Sequence, residues 1–247
     1  MPYILRPNND TDRNNVINHM SELIFTSQGE IKEDAAKIFL NETAEHLKKF
    51  MPVYSTAYKN RDLAFSDRSS ATKQKNIPKD FVKKNISHFF HTFNNGIERG
   101  TFTISERRLY GLSIESMDIP SLITESDILE WGDKIVSGEA IRIAQGGKPM
   151  IMPSAEEVRV ALENYKIAQK QKSDKQIGLT KEQEGMQELR DEADDLIKDL
   201  WDEVEFYFRK SEPAARRVQC SQWGVIYKNR YGDNGDNTTE ANPTVAP

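Results

Sequence analysis

Between Ser154 and Arg209 apolar residues recur at spacings of three, four and seven, with no catalytic motif among them. A chain carrying such a stretch must build helices and bury one side of each. The stretch opens on Ser154-Ala155-Glu156-Glu157, where the Ser154 hydroxyl can accept from the third helical amide while Glu157 reaches back, a capping box. Val158, Leu162 and Tyr165 then share a face, followed by Leu179, Met186, Ala193, Ile197, Leu200, Val204 and Tyr207. The spacing predicts a helix pair turning near Ser173 to Thr180. One long helix is the alternative, because the stripe keeps its phase across Gly178. Either way each helix is apolar on one side only and needs partners from elsewhere in the chain.

The first half supplies them. Thr11 or Asp12 is placed to cap a helix bearing Val16, Ile17, Met20, Leu23 and Ile24, broken at Gln28-Gly29. A second pattern begins near Lys32 and runs through Ile38, Phe39, Leu47, Phe50 and Tyr54 toward Leu63 and Phe65, with a kink or break expected at Pro52, since proline removes an amide donor and clashes with the preceding turn. Ser66 to Asn76 reads as polar and turn-like, and Pro78 as the first turn of a third helix. That third helix presents Phe81, Val82, Ile86, Phe89, Phe90, Phe93 and Ile97 and stops at Gly100. Ser105 is placed to cap a short helix ending at Tyr110-Gly111. Thr124 to Asp127 opens another carrying Ile128, Trp131, Ile135 and Ile141, ended by Gly146-Gly147. Gln145 to Pro153, with two glycines and two prolines, reads as a linker. Beyond Lys228 the composition offers little to bury and predicts a flexible tail.

Charge is distributed unevenly. Thr56 to Lys84 holds eight Lys/Arg against three Asp, and Lys181 to Glu205 holds eleven Asp/Glu against three Lys/Arg. These two segments are expected to lie side by side within one chain. The acidic balance of the whole, net −5, opposes a nucleic-acid partner. No apolar run approaches the ~18 residues that would span a bilayer, so no membrane partner is expected. The N-terminal MPYILRPNNDTDRNN has no apolar signal core, and a cytoplasmic location is the expectation.

Chemistry-bearing patterns are few. His88 and His91 are three apart and hence neighbours on a helix, but a metal would need ligands from another helix. The carboxylate-bundle signature fails, since His46 and His88 are preceded at the required offset by Thr43 and Asn85. The acids of Asp191 to Asp195 and Asp202 to Glu205 read as the solvated face of a helix, with Glu205 pairing to Arg209 or Arg216. Cys220, the single cysteine, lacks a nucleophile motif and reads as a structural thiol. Gly146-Gly147 leads to Lys148-Pro149 rather than a phosphate loop, and Gly232 to Asn237 lacks the glycine and glutamate of a calcium loop. No cofactor, metal or catalytic residue is therefore assigned. Trp223 and Tyr227, in an apolar segment before the polar tail, stand as a structural anchor or a partner-binding site. An internal echo also places Tyr110-Gly111 on Trp223-Gly224 and Phe93 on Phe206, the trace of a duplicated unit or a coincidence.

Ile97-Glu98-Arg99-Gly100, Tyr110-Gly111-Leu112, Gly138-Glu139-Ala140, Trp201 to Phe206 and Trp223 to Tyr227 together resemble a group of uncharacterised bacterial helical proteins of similar length. The resemblance covers most of residues 80 to 228 and implies an all-helical fold, without adding an activity. The expectation is an all-α protein with an N-terminal helical unit over 1–144, a C-terminal unit over 154–228 and a tail over 229–247. Its expected role is a non-enzymatic interaction or assembly component that binds a protein partner or itself. A helical enzyme or metal protein with a site between helices is the alternative, and any small-molecule ligand is left open.

Overall fold

A computed structural model of the protein describes residues 2–228. The tail expected over 229–247, with its Gly232 to Asn237 segment, lies outside the described residues. Within them the chain is all-α: six helices, α1 (Asp10–Ile24), α2 (Asn41–Glu98), α3 (Glu125–Ala144), α4 (Ala155–Glu188), α5 (Arg190–Tyr207) and α6 (Pro213–Gln222), with two short 3-10 segments, Ala35–Lys37 and Ile104–Tyr110. The strands β1 (Tyr3–Ile4) and β2 (Tyr227–Lys228) form one small antiparallel pair. No helix among the described residues is long and apolar enough to cross a membrane.

The start signals act as their chemistry requires. Ser154 Oγ accepts from the Glu157 amide at 3.1 Å while the Ser154 amide donates to Glu157 Oε2 at 2.7 Å. Thr124 and Asp127 repeat the arrangement at α3. At α1 the cap is Asn9 rather than Thr11 or Asp12, its Oδ1 accepting from the Asp12 amide at 2.8 Å. Thr103, not Ser105, precedes the 3-10 segment that ends at Tyr110, bonded to Glu106.

The interior signals misled. Pro52 and Pro78 both lie inside α2, whose 58 residues run unbroken through the expected turn at Ser66 to Asn76. An interior proline costs about 3 kcal/mol, but the turns beside each are held by burial: Phe50 and Tyr54 beside Pro52, Val82 and Ile86 after Pro78. Helix α4 passes through Ser173 to Thr180 without turning and is interrupted only at Leu189, whose own backbone stays helical.

Two compact units result, and they are not successive halves. Among the described residues unit 1 comprises 2–61 and 183–228, and unit 2 comprises 62–182, so the segment Gln145 to Pro153 that read as a linker lies inside unit 2. The core of unit 1 joins Ile17, Met20 and Ile24 of α1, Leu47, Phe50 and Tyr54 of α2 and Leu196, Ile197, Leu200, Trp201 and Val204 of α5. Asp10, buried at the start of α1, accepts from Arg190 Nε at 2.7 Å and from Arg61 Nη1 at 3.0 Å, while Arg13 Nε donates to Asp194 at 2.7 Å. The hydrogen bond from Arg190 outweighs burial and holds the Asp10 carboxyl below its ordinary range. The core of unit 2 gathers Val82, Ile86, Phe89, Phe90 and Phe93 of α2 with Ile128 and Ile135 of α3 and Val158, Leu162 and Tyr165 of α4. The aromatic face of the expected third helix is thus core, except for Phe81, which is 59% exposed. Phe93 is buried in unit 2 whereas Phe206 in unit 1 is 64% exposed, so the two positions that the echo aligned do not play equivalent parts.

The two charged segments approach each other at Asp10, which Arg61 of the basic one and Arg190 of the acidic one both engage, while their other charges pair elsewhere. In the basic segment Arg61 bonds Asp10, and Lys75 and Lys79 meet Glu125. In the acidic segment Asp194 bonds Arg13 and Glu192 bonds His46.

Candidate interaction surface

Besides the Asp10 network, three places among the described residues bring polar groups together, one buried and two in clefts. The first is buried in unit 2. Tyr110 donates its hydroxyl to Glu139 Oε2, Arg142 Nε and Nη2 donate to the two Glu139 oxygens at 2.9 Å each, and the Met150 amide donates to Glu139 Oε1 at 2.7 Å. Arg142 also reaches the Lys148 carbonyl and lies over the Phe102 ring, 4.7 Å from its centroid. Burial pushes the Glu139 carboxyl up, but the bonds from Arg142, Tyr110 and the Met150 amide outweigh it and hold the group below its ordinary range. Burial and the bond to Glu139 raise the Tyr110 hydroxyl. Beside this cluster Arg107 donates to Asn94, to the Ser113 carbonyl at 2.6 Å and to the Asp118 carbonyl at 2.8 Å. Both Glu139 oxygens and the arginine donors are consumed by protein groups, so the arrangement ties the loops 111–118 and 145–150 to the helices and leaves no acid or base facing a substrate. Its closeness depends on Gly138, where a Cβ would lie 2.6 Å from the Leu109 carbonyl oxygen.

The second place is a cleft of about 410 Å³ lined by Asn85, His88, His91, Thr92, Met152, Pro153 and Glu157. The histidine pair does face a shared space, but Glu157, the one carboxylate there, accepts from the Ser154 amide in the α4 cap. Among the described residues no group of three or more His, Cys, Asp or Glu side chains is placed to hold a metal ion.

The third is a cleft of about 940 Å³ in unit 1, walled by the start of α2 and the end of α5. Glu203 fixes the walls: it accepts from the Leu40 amide at 2.9 Å and from Thr43 Oγ1 at 2.6 Å, supplying from α5 the cap that α2 needs. Because α5 turns Ala193, Leu196, Ile197, Leu200, Trp201 and Val204 inward, the helical period sends Asp191, Asp195, Asp199, Asp202 and Phe206 outward along a single stripe, all exposed. None of these four aspartates has a hydrogen-bond or ion-pair partner among the described residues. Leu40, 65% exposed, and Phe206 flank the space, and the Arg209 guanidinium lies 3.6 Å from the Phe206 ring centroid. The cleft therefore offers apolar surface bordered on one side by the unpaired Asp199 and Asp202 carboxylates and on the other by Arg209 and Lys210.

Trp223 packs edge-on against Phe39, with ring centroids 5.8 Å apart, and lies against the core of unit 1. Tyr227 donates its hydroxyl to Glu205 at 2.7 Å, the bond that Arg209 or Arg216 was expected to make. Arg209 turns instead to the Phe206 carbonyl. Gly224, at φ +83°, admits this segment past Met20, whose sulfur would lie 2.9 Å from a Cβ there. Burial raises the thiol of Cys220, which is fully enclosed.

Comparison with protein-family models, curated proteins and solved structures finds no match to this chain.

Proposed function

We propose that this protein is a non-enzymatic helical assembly component of the cytoplasm that works by docking to a protein partner or to itself. The observation that carries this reading is the placement of large apolar side chains outside both cores on regular helical surfaces. Leu40 and Phe206 border the unit 1 cleft, and Leu63, Ile77 and Phe81 project from one face of α2. Scattered single exposures are ordinary, whereas apolar groups collected on one rigid face mark interaction surfaces. Unit 2 adds a second sign. Over residues 62–80 of α2 only Lys75 is buried, and over 166–182 of α4 only Leu179. This two-helix stretch is held by polar pairs such as Asp67 with Lys175 at 2.7 Å and Arg68 with Gln176 at 2.9 Å. Exposed polar pairs stabilise little, about 0–1 kcal/mol each, so the length of α2 and α4 there serves presentation more than packing. The test is the mass of the purified chain in solution, measured with its metal content. Metal-free self-association supports assembly, and a metal-bearing monomer overturns it in favour of a site between helices.

A further inference from the structure

We propose that the cleft of unit 2 binds one copper(I) ion, held by the imidazoles of His88 and His91 and the thioether of Met152. The proposal goes beyond the assembly reading and rests on different residues.

The cleft gathers these side chains from elements distant in sequence. His88 and His91 sit three positions apart on α2, hence on one side of it with Cβ atoms about 5–6 Å apart, and both are exposed. That separation lets one ion take a bond of about 2 Å from a nitrogen of each ring. Met152 comes from the loop that leads into α4 and lines the same cleft, 77% exposed. Neither imidazole has a hydrogen-bond or ion-pair partner among the described residues, whereas His46 is engaged by Glu192 at 2.9 Å. The ring nitrogens in the cleft are therefore left for a ligand.

The chemistry of the donors selects the ion. The Asn85 amide nitrogen is spent on the Phe81 carbonyl at 2.9 Å, and Glu157 is committed to the α4 cap and does not come together with the imidazoles as a metal-holding group. What remains is a neutral set of two imidazoles and a thioether. Magnesium and calcium need oxygen ligands, carboxylates above all, and zinc takes at least three nitrogen, thiolate or carboxylate ligands from the protein. A thioether beside imidazoles suits copper(I), a soft ion of low charge that is stable with few ligands. Cys220, whose thiolate would be the stronger copper ligand, is fully enclosed in unit 1 and does not compete. All three donors stand at the surface, so the ion enters and leaves without unfolding the chain, as in a site that exchanges copper rather than one that builds the fold.

Titration of the full chain with copper(I) in anaerobic buffer, against a chromogenic copper(I) chelator, and separately with zinc(II), tests this. The wild type should take up one copper(I) per chain and hold zinc(II) at least about tenfold more weakly. His88→Gln with His91→Gln should weaken copper(I) at least about a hundredfold, since loss of a ligand's own hydrogen-bond partner already costs about 10–100-fold. Met152→Leu should weaken copper(I) about tenfold and leave zinc(II) unchanged, because only the soft ion uses the sulfur. All three positions are exposed, so each variant should fold, which circular dichroism verifies. A chain that takes up no copper(I), copper(I) that survives the double histidine replacement, zinc(II) held as tightly as copper(I), or indifference to Met152→Leu each overturns the proposal. Sedimentation of the same samples separates it from the assembly reading: self-association without copper uptake overturns the site alone, and copper held by a chain that stays monomeric upholds the site and overturns the assembly reading.

Discussion

Arg142 and Arg209 each lie over a phenylalanine ring with carboxylates close by, yet the two regions use these groups in opposite ways. Around Arg142 every strong donor and acceptor is matched: Glu139 receives Arg142, Tyr110 and the Met150 amide, and all of it is shut inside unit 2. Around Arg209 the same residue types stand open, with Phe206 exposed and Asp199 and Asp202 without partners among the described residues. A satisfied polar cluster in low dielectric specifies structure, because any half-made version of it is costly. An unsatisfied one at a surface is stable in water and remains ready for something outside. Polar chemistry that looks alike in sequence is thus structural in unit 2 and available in unit 1.

The comparison breaks most sharply if the closed cluster proves dispensable. Arg142→Ala strands the Glu139 carboxylate in the interior, and removing one partner of a buried pair should cost about 3–5 kcal/mol in urea unfolding. Asp202→Asn, at the open cleft, should shift stability by no more than about 0.5 kcal/mol. Truncating the ring between core and cluster, Phe93→Ala, should cost a similar ~3–5 kcal/mol. An unchanged midpoint would mean that this face of α2 is not core. Gly138→Ala sharpens the contrast at smaller cost. Its methyl would press on the Leu109 carbonyl and the Tyr110 ring, and overpacking of this kind costs about 1–3 kcal/mol by thermal or chemical denaturation.

Acid should reach the closed clusters gradually. Glu139 and Asp10 are held below their ordinary values of 4.5 and 3.8, so their ionised forms stabilise the fold. That contribution is complete above the ordinary values and is lost as pH falls through the lower folded ones. Unfolding midpoints measured against pH should decline below about 4.5, and Glu139→Gln with Asp10→Asn should lower the plateau and flatten the decline.

Much of this architecture was legible. The α5 stripe, the Ser154 and Thr124 capping boxes and the Phe89 to Phe93 face follow from local chemistry, and the structure places them as that chemistry demands. Helix α3 shows where reading by hydrophobicity fails. Its apolar residues suggested a face through Ile128, Ile135 and Ile141, but Ile141 is 47% exposed, and the buried positions are 128, 132, 135, 138, 139 and 142. The period was right and the residue types disguised it, since Glu139 and Arg142 enter the core only because each neutralises the other's burial. The i, i+3 placement of the pair was the available signal. Its remaining partners, Tyr110 and the Met150 amide, come from segments that local pattern does not connect. Pro52 and Pro78 misled for the related reason that long-range packing outweighs a local penalty. The unit 1 cleft was hidden because its walls come from residues some 160 positions apart, joined by Glu203 at the Leu40 amide.

The most direct measurement pairs stability with association for one substitution, Phe206→Ala. A ring that serves a partner rather than the core can be removed with the unfolding midpoint shifted by no more than about 0.5 kcal/mol, while self-association in sedimentation weakens about tenfold or more. A large loss of stability would place Phe206 in the core, and unchanged association at unchanged stability would show that the open cleft is not where the chain docks.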